Sequence, residues 1–237
     1  MPNDYFQFKQ FRIQQHACAM KVSTDACIQG AWTPIAGHVK RILDIGTGTG
    51  LLSLMLAQRS TSDVMIDAVE LDEAAAAQAA VNAGSSHWSS RITVAQGDVT
   101  TLPLQQQYDM IICNPPFFNN SLQGEDAQRN MARHTNTLGY AELLQSLDRA
   151  LKAEGYASIL LPVAEYEVWK QLLTAKGWYI TKELWVQPNE AKPANRVVSV
   201  CSRQQREVVK EQLCIYNADR TYTSEFAALL ADYYLAL

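Results

Sequence analysis

Short apolar runs alternate with helical stretches along the first two thirds of the chain, and this alternation constrains the fold more than any other feature. Runs rich in β-branched residues predict strands at 41–45, 64–71, 91–95, 108–113 and 156–161. The stretches between and after them predict helices over Leu51–Arg59, Glu73–Asn82, Tyr140–Ala153 and Glu165–Ala175. Such alternation predicts right-handed βαβ units and a parallel sheet, and therefore an α/β fold.

The last third of the chain predicts a different finish to the sheet. Strands are expected at Trp178–Val186, Arg196–Cys201 and Glu211–Tyr216, and the short turns between them favour antiparallel strands at the sheet edge. Gly155 is expected to end the preceding helix, and Thr223–Leu237 to form a terminal helix with Ser224 as its N-cap. With no repeat and no long polar linker, we expect a single domain over 31–237 preceded by an N-terminal arm over 1–30.

The composition is that of an ordinary globular protein without stabilising cross-links. A chain of 237 residues with 48% hydrophobic content is large enough to build its core without disulfides. The cysteines are odd in number, widely spaced and form no CxxC pair; they are Cys18, Cys27, Cys113, Cys201 and Cys214. This spacing favours buried, reduced thiols over a zinc site or a redox pair, so no metal is expected.

The charge and hydropathy of the sequence indicate where in the cell the protein is found and which partners it can bind. No segment reaches the roughly 18 apolar residues of a membrane span, and the N-terminus has no long apolar run. We therefore expect a cytoplasmic protein with no membrane partner. A net charge of −4 argues against nonspecific coating of DNA, although local basic patches remain possible.

A glycine loop, DIGTGTG at 44–50, closes the first predicted strand. Its three glycines let the backbone turn sharply and approach a ligand. The third glycine comes one residue too early for the dinucleotide fingerprint G-x-G-x-x-G, so a pyrophosphate ligand fits poorly. The pattern instead resembles motif I of class I S-adenosylmethionine-dependent methyltransferases. There, helix N–H groups suit the methionine carboxylate and Asp44 would offset the ammonium group. Alone, the stretch could also be an ordinary glycine-rich turn.

Two further carboxylates follow the next predicted strands. Glu70 lies at the end of the second strand, where an acid can accept hydrogen bonds from both ribose hydroxyls. Asp98 follows the third strand and could accept from the exocyclic amine of a cofactor adenine. Either residue alone could be a solvated loop acid or a helix cap. Their positions at successive strand ends favour a shared ligand.

The fourth predicted strand ends abruptly in Asn-Pro-Pro-Phe at 114–117. Proline has no N–H and fixes φ, so the chain leaves the strand extended and stiff. This sequence resembles motif IV of amino-methyltransferases, which act on exocyclic amines of adenine or guanine or on glutamine amides. The amide oxygen of Asn114 and the carbonyl of Pro115 could each accept one N–H of such a nitrogen. Phe117 could stack on the base. The alternative is a Pro-Pro strand stop beside a core phenylalanine.

The whole chain, over residues 5–237, resembles the bacterial tRNA1(Val) (adenine(37)-N6)-methyltransferases. Besides the two motifs, the resemblance rests on FKQF at 8–11, MKVSTD at 20–25, NMARH at 130–134 and YTSE at 222–225. One departure is Phe117, where many relatives carry tyrosine. The resemblance implies a class I methyltransferase Rossmann-like fold with a mostly parallel seven-stranded sheet, one antiparallel strand and helices on both faces.

The resemblance also implies the site and its partners. Catalysis would involve Asn114, Pro115, Pro116 and Phe117. S-adenosylmethionine, with S-adenosylhomocysteine as product, would be held by Thr24, Asp44, Gly46, Thr47, Gly48, Gly50, Glu70, Leu71, Asp98, Val99 and Asn114. The expected substrate is a tRNA, bound by a monomer, with no DNA partner. Candidate RNA contacts are Lys9, Arg12, Lys21, Arg129, Arg133, Arg196, Arg203 and Arg206, each of which could instead be solvated surface charge.

Two other kinds of enzyme use the same Asn-Pro-Pro chemistry. A protein-glutamine N5-methyltransferase is expected to carry an N-terminal helical domain, whereas only 43 residues precede Asp44 here. An adenine-N6 or guanine-N2 methyltransferase of ribosomal RNA is the other alternative. A cofactor-binding protein without catalysis is a third hypothesis, against which the intact Asn-Pro-Pro-Phe sequence argues.

Overall fold

The computed structural model describes residues 4–18, 20–104, 107–116 and 138–237. The strands in these ranges are β1 (Tyr5–Gln7), β2 (Arg12–Gln14), β3 (Arg41–Ile45), β4 (Met65–Glu70), β5 (Ile92–Gln96), β6 (Tyr108–Cys113), β7 (Leu151–Pro162), β8 (Tyr179–Asn189), β9 (Arg196–Ser202) and β10 (Val209–Tyr216). The α-helices are α1 (Thr24–Trp32), α2 (Leu51–Arg59), α3 (Glu73–Gly84), α4 (Tyr140–Ala150), α5 (Val163–Ala175) and α6 (Ser224–Leu230).

Within the described residues, eight strands form one sheet in the order β10–β8–β9–β7–β6–β3–β4–β5. Only β9 is antiparallel to its neighbours; the other pairings are parallel. The predicted Rossmann-like class, mostly parallel with one antiparallel strand, is therefore confirmed. The carboxyl ends of β3, β4, β5 and β6 consequently lie along one edge of the sheet, where ligands bind in such folds.

Two details of the predicted sheet are wrong. The described sheet has eight strands rather than seven, and β10 pairs with β8 in parallel rather than antiparallel. The reason is the position of β9, which is inserted between β7 and β8 and pairs with both. Because β9 has no free edge, β10 must add to the outer edge of β8, and it begins at the end of the sheet where β9 stops.

The two faces of the sheet bury separate cores, as the period-2 alternation of strand side chains requires. On β3, Ile42 belongs to the core that contains α1, α2 and α6, whereas Leu43 belongs to the core that contains α4 and α5. Neighbouring β6 repeats the division with Ile112 on the first face and Ile111 on the second. Helices therefore cover both faces, as predicted.

The helix predicted over Tyr140–Ala153 ends earlier, at Ala150. Leu151 is already extended, with φ −77° and ψ 142°, because it pairs with Tyr108 as the first residue of β7. Gly155 therefore does not end a helix but lies inside β7, next to a shift in the strand register. Pairing with β6 overrides the helical pattern of the last three residues.

The predicted terminal helix is also shorter than expected, spanning Ser224–Leu230. Its N-cap is Thr223 rather than Ser224: the Thr223 hydroxyl accepts from the Phe226 amide at 3.2 Å and donates to the Cys214 carbonyl at 2.6 Å. This hydroxyl therefore ties the start of α6 to β10. The chain then leaves the helix, and the Tyr233 carbonyl accepts from the Lys9 amide.

The N-terminal residues form a β1–β2 hairpin that belongs to the core on the α1, α2 and α6 face. Phe8 and Ile13 are fully buried, and the Phe8 ring stacks on Phe11 at a centroid distance of 4.5 Å. The predicted division between an arm and a domain at residues 30 and 31 falls within α1. None of the described helices is long and apolar enough to cross a membrane.

The cysteines match the expectation of buried, reduced thiols. All five are free, and four of them are buried, with Cys214 partly exposed. Burial raises the pKa of Cys27 to about 12 and that of Cys18 to about 11. Thiols with such pKa values are protonated and weakly nucleophilic at neutral pH.

Substitution of Gly155 tests the irregular pairing of β6 with β7. A Cβ at this position would lie 2.8 Å from Leu151 Cδ2 and 3.1 Å from the Tyr108 carbonyl oxygen. Gly155→Ala should therefore lower the free energy of unfolding by about 1–3 kcal/mol in urea titrations. The matched control is Gly84→Ala at the end of α3, where nothing lies within 4 Å and stability should stay unchanged or rise by up to about 1 kcal/mol. Equal changes in the free energy of unfolding for the two variants would contradict the observed pairing of β6 with β7.

Candidate functional site

A cavity of about 780 Å³ opens at the carboxyl ends of β3, β4, β5 and β6. Its volume lies in the range of small-molecule sites and is large enough for a nucleoside with an amino-acid tail. The cavity is lined by seven of the residues predicted from sequence: Gly46, Glu70, Leu71, Asp98, Val99, Pro115 and Pro116. The structure therefore brings the glycine loop, both predicted carboxylates and the Pro-Pro segment to one place.

The glycine loop folds around the buried carboxylate of Asp44 at the end of β3. Gly46, Gly48 and Gly50 all have positive φ, between 55° and 81°, which L-residues rarely adopt. Asp44 Oδ2 accepts from the Thr47 hydroxyl at 2.6 Å and the Ser53 hydroxyl at 2.7 Å. Burial raises the pKa of Asp44 to about 6 even though these donors favour the charged form.

The second carboxylate oxygen of Asp44, Oδ1, is buried, and no donor within the described residues reaches it. A buried acceptor without a partner is costly, which makes this atom suited to a cationic or N–H group of a ligand. Asp44, Thr47, Gly48 and Gly50 all belong to this loop, and none of them is among the described residues that line the cavity.

Glu70 connects the glycine loop to the start of α3. Its Oε2 accepts from the Gly48 amide at 2.8 Å, and its Oε1 accepts from the Asp72 amide at 3.1 Å. A carboxylate has about four acceptor sites, so each oxygen can still accept from a hydroxyl. The predicted ribose acceptor is thus held in place by backbone donors on both sides.

The far wall of the cavity combines a polar and an apolar group. Asp98 is held through Oδ1, which accepts from the Thr100 amide at 2.8 Å and the Thr100 hydroxyl at 2.7 Å. Beside it lie the buried Val99 and the side chain of Leu71, which is 45% exposed. An exposed leucine at a cavity rim gives a flat ligand an apolar surface to cover.

The Asn-Pro-Pro segment leaves β6 at the floor of the cavity. Asn114 Oδ1 is buried, and among the described residues no donor reaches it. This atom is the one predicted to accept from a substrate amine. Pro115 and Pro116 line the cavity beside it. Phe117, the predicted stacking residue, lies outside the described residues.

Sequence reasoning missed Gln29, which supports this segment from behind. The side chain belongs to α1 and is fully buried. Its Nε2 donates to the carbonyl of Cys113 at 3.0 Å and to that of Ser158 at 3.2 Å. Gln29 thereby ties α1 to the last peptide before Asn114. The only signal in the sequence is a polar residue inside an otherwise apolar helical stretch.

Sequence reasoning also missed the extent of the negative charge around the cavity. Asp72, Glu73 and Glu142 line it together with Glu70 and Asp98, and no lysine, arginine or histidine is among the described lining residues. Five carboxylates favour a cation and oppose a phosphate. The cavity therefore fits a ligand that carries a sulfonium and an ammonium group. No cluster suited to a metal ion occurs among the described residues.

Neither Cys18 nor Thr24 of the N-terminal segment is among the residues that line the cavity. Burial raises the pKa of Cys18, and the charges of Glu70 and Asp72 raise it further. Thr24 is the first residue of α1 and hydrogen bonds with Tyr234. The cavity lining therefore does not include this predicted cofactor residue.

The candidate RNA contacts divide between the two edges of the sheet. Arg196 pairs with Pro162 at the carboxyl edge, where the cavity opens, and forms an ion pair with Asp25 at 2.9 Å. Arg203 and Arg206 follow Ser202, which pairs with the first residue of β8, so both lie at the opposite edge. Arg129 and Arg133 lie outside the described residues.

Arg203 is engaged in structural contacts at that opposite edge. Its guanidinium pairs with Asp148, donates to the Lys176 carbonyl at 2.7 Å and lies over the Trp178 ring. On the hairpin, Lys9 donates to the Ala231 carbonyl, and Arg12 lies over the Tyr5 ring. Lys21 is exposed just before α1.

Comparison with known proteins adds sequence relatives that span nearly the whole chain. A family model described as Methyltransferase small domain matches residues 32–139. A protein of Tolumonas auensis named tRNA1(Val) (adenine(37)-N6)-methyltransferase is 47% identical over 98% of this chain and 97% of its own length. Proteins of the same name from Klebsiella pneumoniae and Escherichia coli are 44% and 41% identical, over 99% and 97% of this chain and 96% and 94% of their own.

Solved structures that resemble the chain share its fold at low sequence identity. A predicted O-methyltransferase from Agrobacterium tumefaciens superposes with a TM-score of 0.68 over 88% of this chain and 96% of that one, at 14% identity. TYW2 from P. horikoshii, solved in complex with MeSAdo, has a TM-score of 0.59 over 86% of this chain and 74% of that one, also at 14% identity.

The raised pKa of Asp44 predicts a specific pH dependence of folding. Because its folded-state pKa of about 6 exceeds the ordinary 3.8, its contribution to stability is complete below the ordinary value and is lost as pH rises through about 6. Asp44→Asn should remove this dependence, so the unfolding free energies of the ligand-free wild type and variant should diverge by about 3 kcal/mol between pH 4 and pH 7. Urea unfolding across this range measures it. Parallel curves would contradict a buried, titrating Asp44.

Proposed function

Because the chain belongs to the tRNA1(Val) (adenine(37)-N6)-methyltransferase family, we propose that it methylates the exocyclic N6 of adenosine 37 in tRNA1(Val) with S-adenosylmethionine. The observation that carries the proposal is the buried Asn114 Oδ1, which has no hydrogen-bond partner among the described residues and belongs to the residue between Cys113 and Pro115, both of which line an acidic cavity. An acceptor in that position needs an N–H donor, and an exocyclic amine supplies one.

S-adenosylmethionine supplies an electrophilic methyl group on a sulfonium when it is bound. We propose that Asp44 Oδ1 pairs with its ammonium group, Glu70 with its ribose hydroxyls and Asp98 with its adenine amine. The remaining carboxylates, Asp72, Glu73 and Glu142, add to the negative potential that attracts the cation. The apolar wall of Leu71 and Val99 would cover the adenine ring; Thr24 stays a proposed contact that lies off the cavity.

The Asn-Pro-Pro segment prepares the substrate nitrogen for attack. An exocyclic amine is a poor nucleophile because its lone pair is delocalised into the ring. Asn114 Oδ1 accepts one N–H and the Pro115 carbonyl accepts the other, which directs the lone pair at the methyl carbon. Methyl transfer would form the N–C bond while the C–S bond of the cofactor breaks and leaves its electron pair on sulfur, and the cationic amine would then release a proton to water. Positive charge grows on nitrogen, so both acceptors bind the transition state more strongly than the substrate.

The protein contributes by holding the Asn-Pro-Pro segment in a fixed conformation. Pro115 and Pro116 restrict the backbone of the segment. Gln29 holds the Cys113 carbonyl immediately before it, at 3.0 Å. An acceptor that is already in place needs no reorganisation during the reaction, which is how fixed dipoles lower a barrier. Phe117 is proposed to stack on the target base.

We further propose the substrate, the cellular location, the oligomeric state and the RNA contacts of the protein. The substrate is a tRNA, which implies action in the cytoplasm, and one chain supplies the whole described cavity, consistent with a monomer. Residues 1–30 form an arm, and 31–237 form one domain. The proposed RNA contacts are Arg196 on the cavity side of the sheet, Lys9, Arg12 and Lys21 of the arm, and Arg129 and Arg133, which lie outside the described residues. Arg203 and Arg206 would require RNA to reach the opposite edge.

The proposed activity is tested by methyl transfer from labelled S-adenosylmethionine to unmodified tRNA. N6-methyladenosine should appear at position 37 of tRNA1(Val), with no label in ribosomal RNA or release factor assayed in parallel. Digestion to nucleosides and chromatography identify the product. Label in ribosomal RNA or in a glutamine side chain would keep the Asn-Pro-Pro chemistry and move the function to one of the two alternative substrates.

Removal of the Asn114 side chain tests the mechanism. Asn114→Ala should lower kcat by about 10²–10³, because an acceptor of the developing charge is lost. Melting temperature should change little, since no described residue donates a hydrogen bond to Asn114 Oδ1. The matched control is Asn195→Ala, an exposed asparagine at the same edge, which should keep wild-type kcat. Near-normal turnover of Asn114→Ala would exclude this mechanism.

A further inference from the structure

A second cavity of about 660 Å³ lies on the same edge of the sheet as the catalytic cavity. It opens between the chain that follows β8 and the chain that follows β10. Its lining residues are Pro188, Asn189, Glu190, Ala191, Tyr216, Asn217, Ala218 and Arg220. The sheet order places it between three and four strands from β6, roughly 14–19 Å away at about 4.8 Å per strand. One folded RNA can contact both places.

Arg220 is the one described residue other than glycine with a positive φ, at 67°. The turn that holds it is tightly bonded: the Arg220 amide donates to the Asn217 carbonyl at 3.1 Å, and the Asn217 amide donates to the Thr221 carbonyl at 2.9 Å. Asp219 Oδ1 accepts from the Thr221 amide at 2.9 Å. Glycine would adopt this conformation without strain, so the arginine side chain itself needs an explanation.

Tyr216, which lines this cavity, is the first ring of an aromatic stack. Tyr216 stacks on Tyr222 at a centroid distance of 5.1 Å, and Tyr222 stacks on Phe226 at 4.6 Å. Tyr216 is only partly buried and lines the cavity, as does Pro188. A partly exposed ring backed by two further rings is a rigid surface on which a nucleobase can stack.

Positive charge connects this cavity with the catalytic one. Lys192 is in the turn after β8, where its amide donates to the Asn189 carbonyl, and Arg196 opens β9 at the same edge. With Arg220 these cations follow the edge from β10 toward β7. Glu190 is the one acid among the described lining residues, so it opposes an anion there.

We propose that this cavity is a second binding site for the tRNA substrate, which takes one nucleotide away from the target adenosine. Its base lies against Tyr216 and Pro188, and its phosphate is bound by Arg220. Unstacked bases of RNA loops are recognised in this way, by an aromatic face together with a guanidinium group. The proposal rests on the proposed function, because it names a further contact of the same RNA.

Arg220→Gly tests RNA binding without destabilising the fold. Glycine adopts a positive φ without strain, and the substitution removes the guanidinium group. The variant should melt at or above the wild-type temperature, and its tRNA dissociation constant should rise about fivefold to twentyfold. The slope of the logarithm of tRNA affinity against the logarithm of salt concentration should decrease by about one, as expected for one lost phosphate contact. Glu190→Gln should act in the opposite direction and tighten binding. Affinity for S-adenosylhomocysteine should stay unchanged in both variants.

The matched control is Lys176→Ala, which removes an exposed lysine just before β8 begins, at the opposite edge of the sheet. It should leave tRNA affinity within about twofold of the wild type, because no phosphate contact is lost. Wild-type affinity and salt slope in Arg220→Gly, or an equal loss in Lys176→Ala, would overturn the proposal while tRNA methylation by the wild type persists. A wild-type chain that neither binds nor methylates tRNA would instead refute the proposed function, and this site with it.

Discussion

The catalytic cavity depends on a buried carboxylate at the end of β3. Asp44 is fully buried, and it accepts hydrogen bonds from the hydroxyls of Thr47 in the glycine loop and of Ser53 in the first turn of α2. The loop can fold around it only because three glycines take positive φ. The unpartnered Oδ1 and the pKa of about 6 show that burial is not fully compensated within the described residues. A cationic ligand would remove that imbalance, which links stability of this loop to occupancy of the cavity.

The distribution of charge explains how an acidic protein can use an RNA substrate. Five carboxylates surround the cavity, where they suit a sulfonium and repel phosphate. The RNA backbone is therefore excluded from the space meant for the cofactor. Cations such as Arg196 and Lys192 lie instead along the same edge beyond β7, outside the cavity lining. The net charge of −4 is a sum over the whole chain, so it does not show that acidic and basic residues lie in separate regions.

The sequence allowed the α/β class and most of the cavity to be predicted, because both depend on local patterns. Strand–helix alternation fixes the parallel sheet, and motifs at strand ends must meet at one edge. Features that depend on partners distant in the chain were not predictable. Leu151 is extended because it pairs with Tyr108, Thr223 is a cap that also binds Cys214, and β9 is inserted between strands that precede it. The same limit applies to Gln29, whose contact with Cys113 spans 84 residues.

The chemistry of the Asn-Pro-Pro segment cannot by itself select the substrate. Asn114 Oδ1 and a proline carbonyl would hold an adenine amine, a guanine amine or a glutamine amide in the same way, since each offers two N–H groups. The cavity floor is therefore generic, and discrimination must come from surfaces that a larger substrate contacts at the same time. On this edge of the sheet those surfaces are the start of α1, where Asp25 pairs with Arg196, the start of β9 and the cavity between β8 and β10. Selectivity for one RNA then arises because only a molecule that reaches these surfaces brings its amine to Asn114 in a reactive orientation.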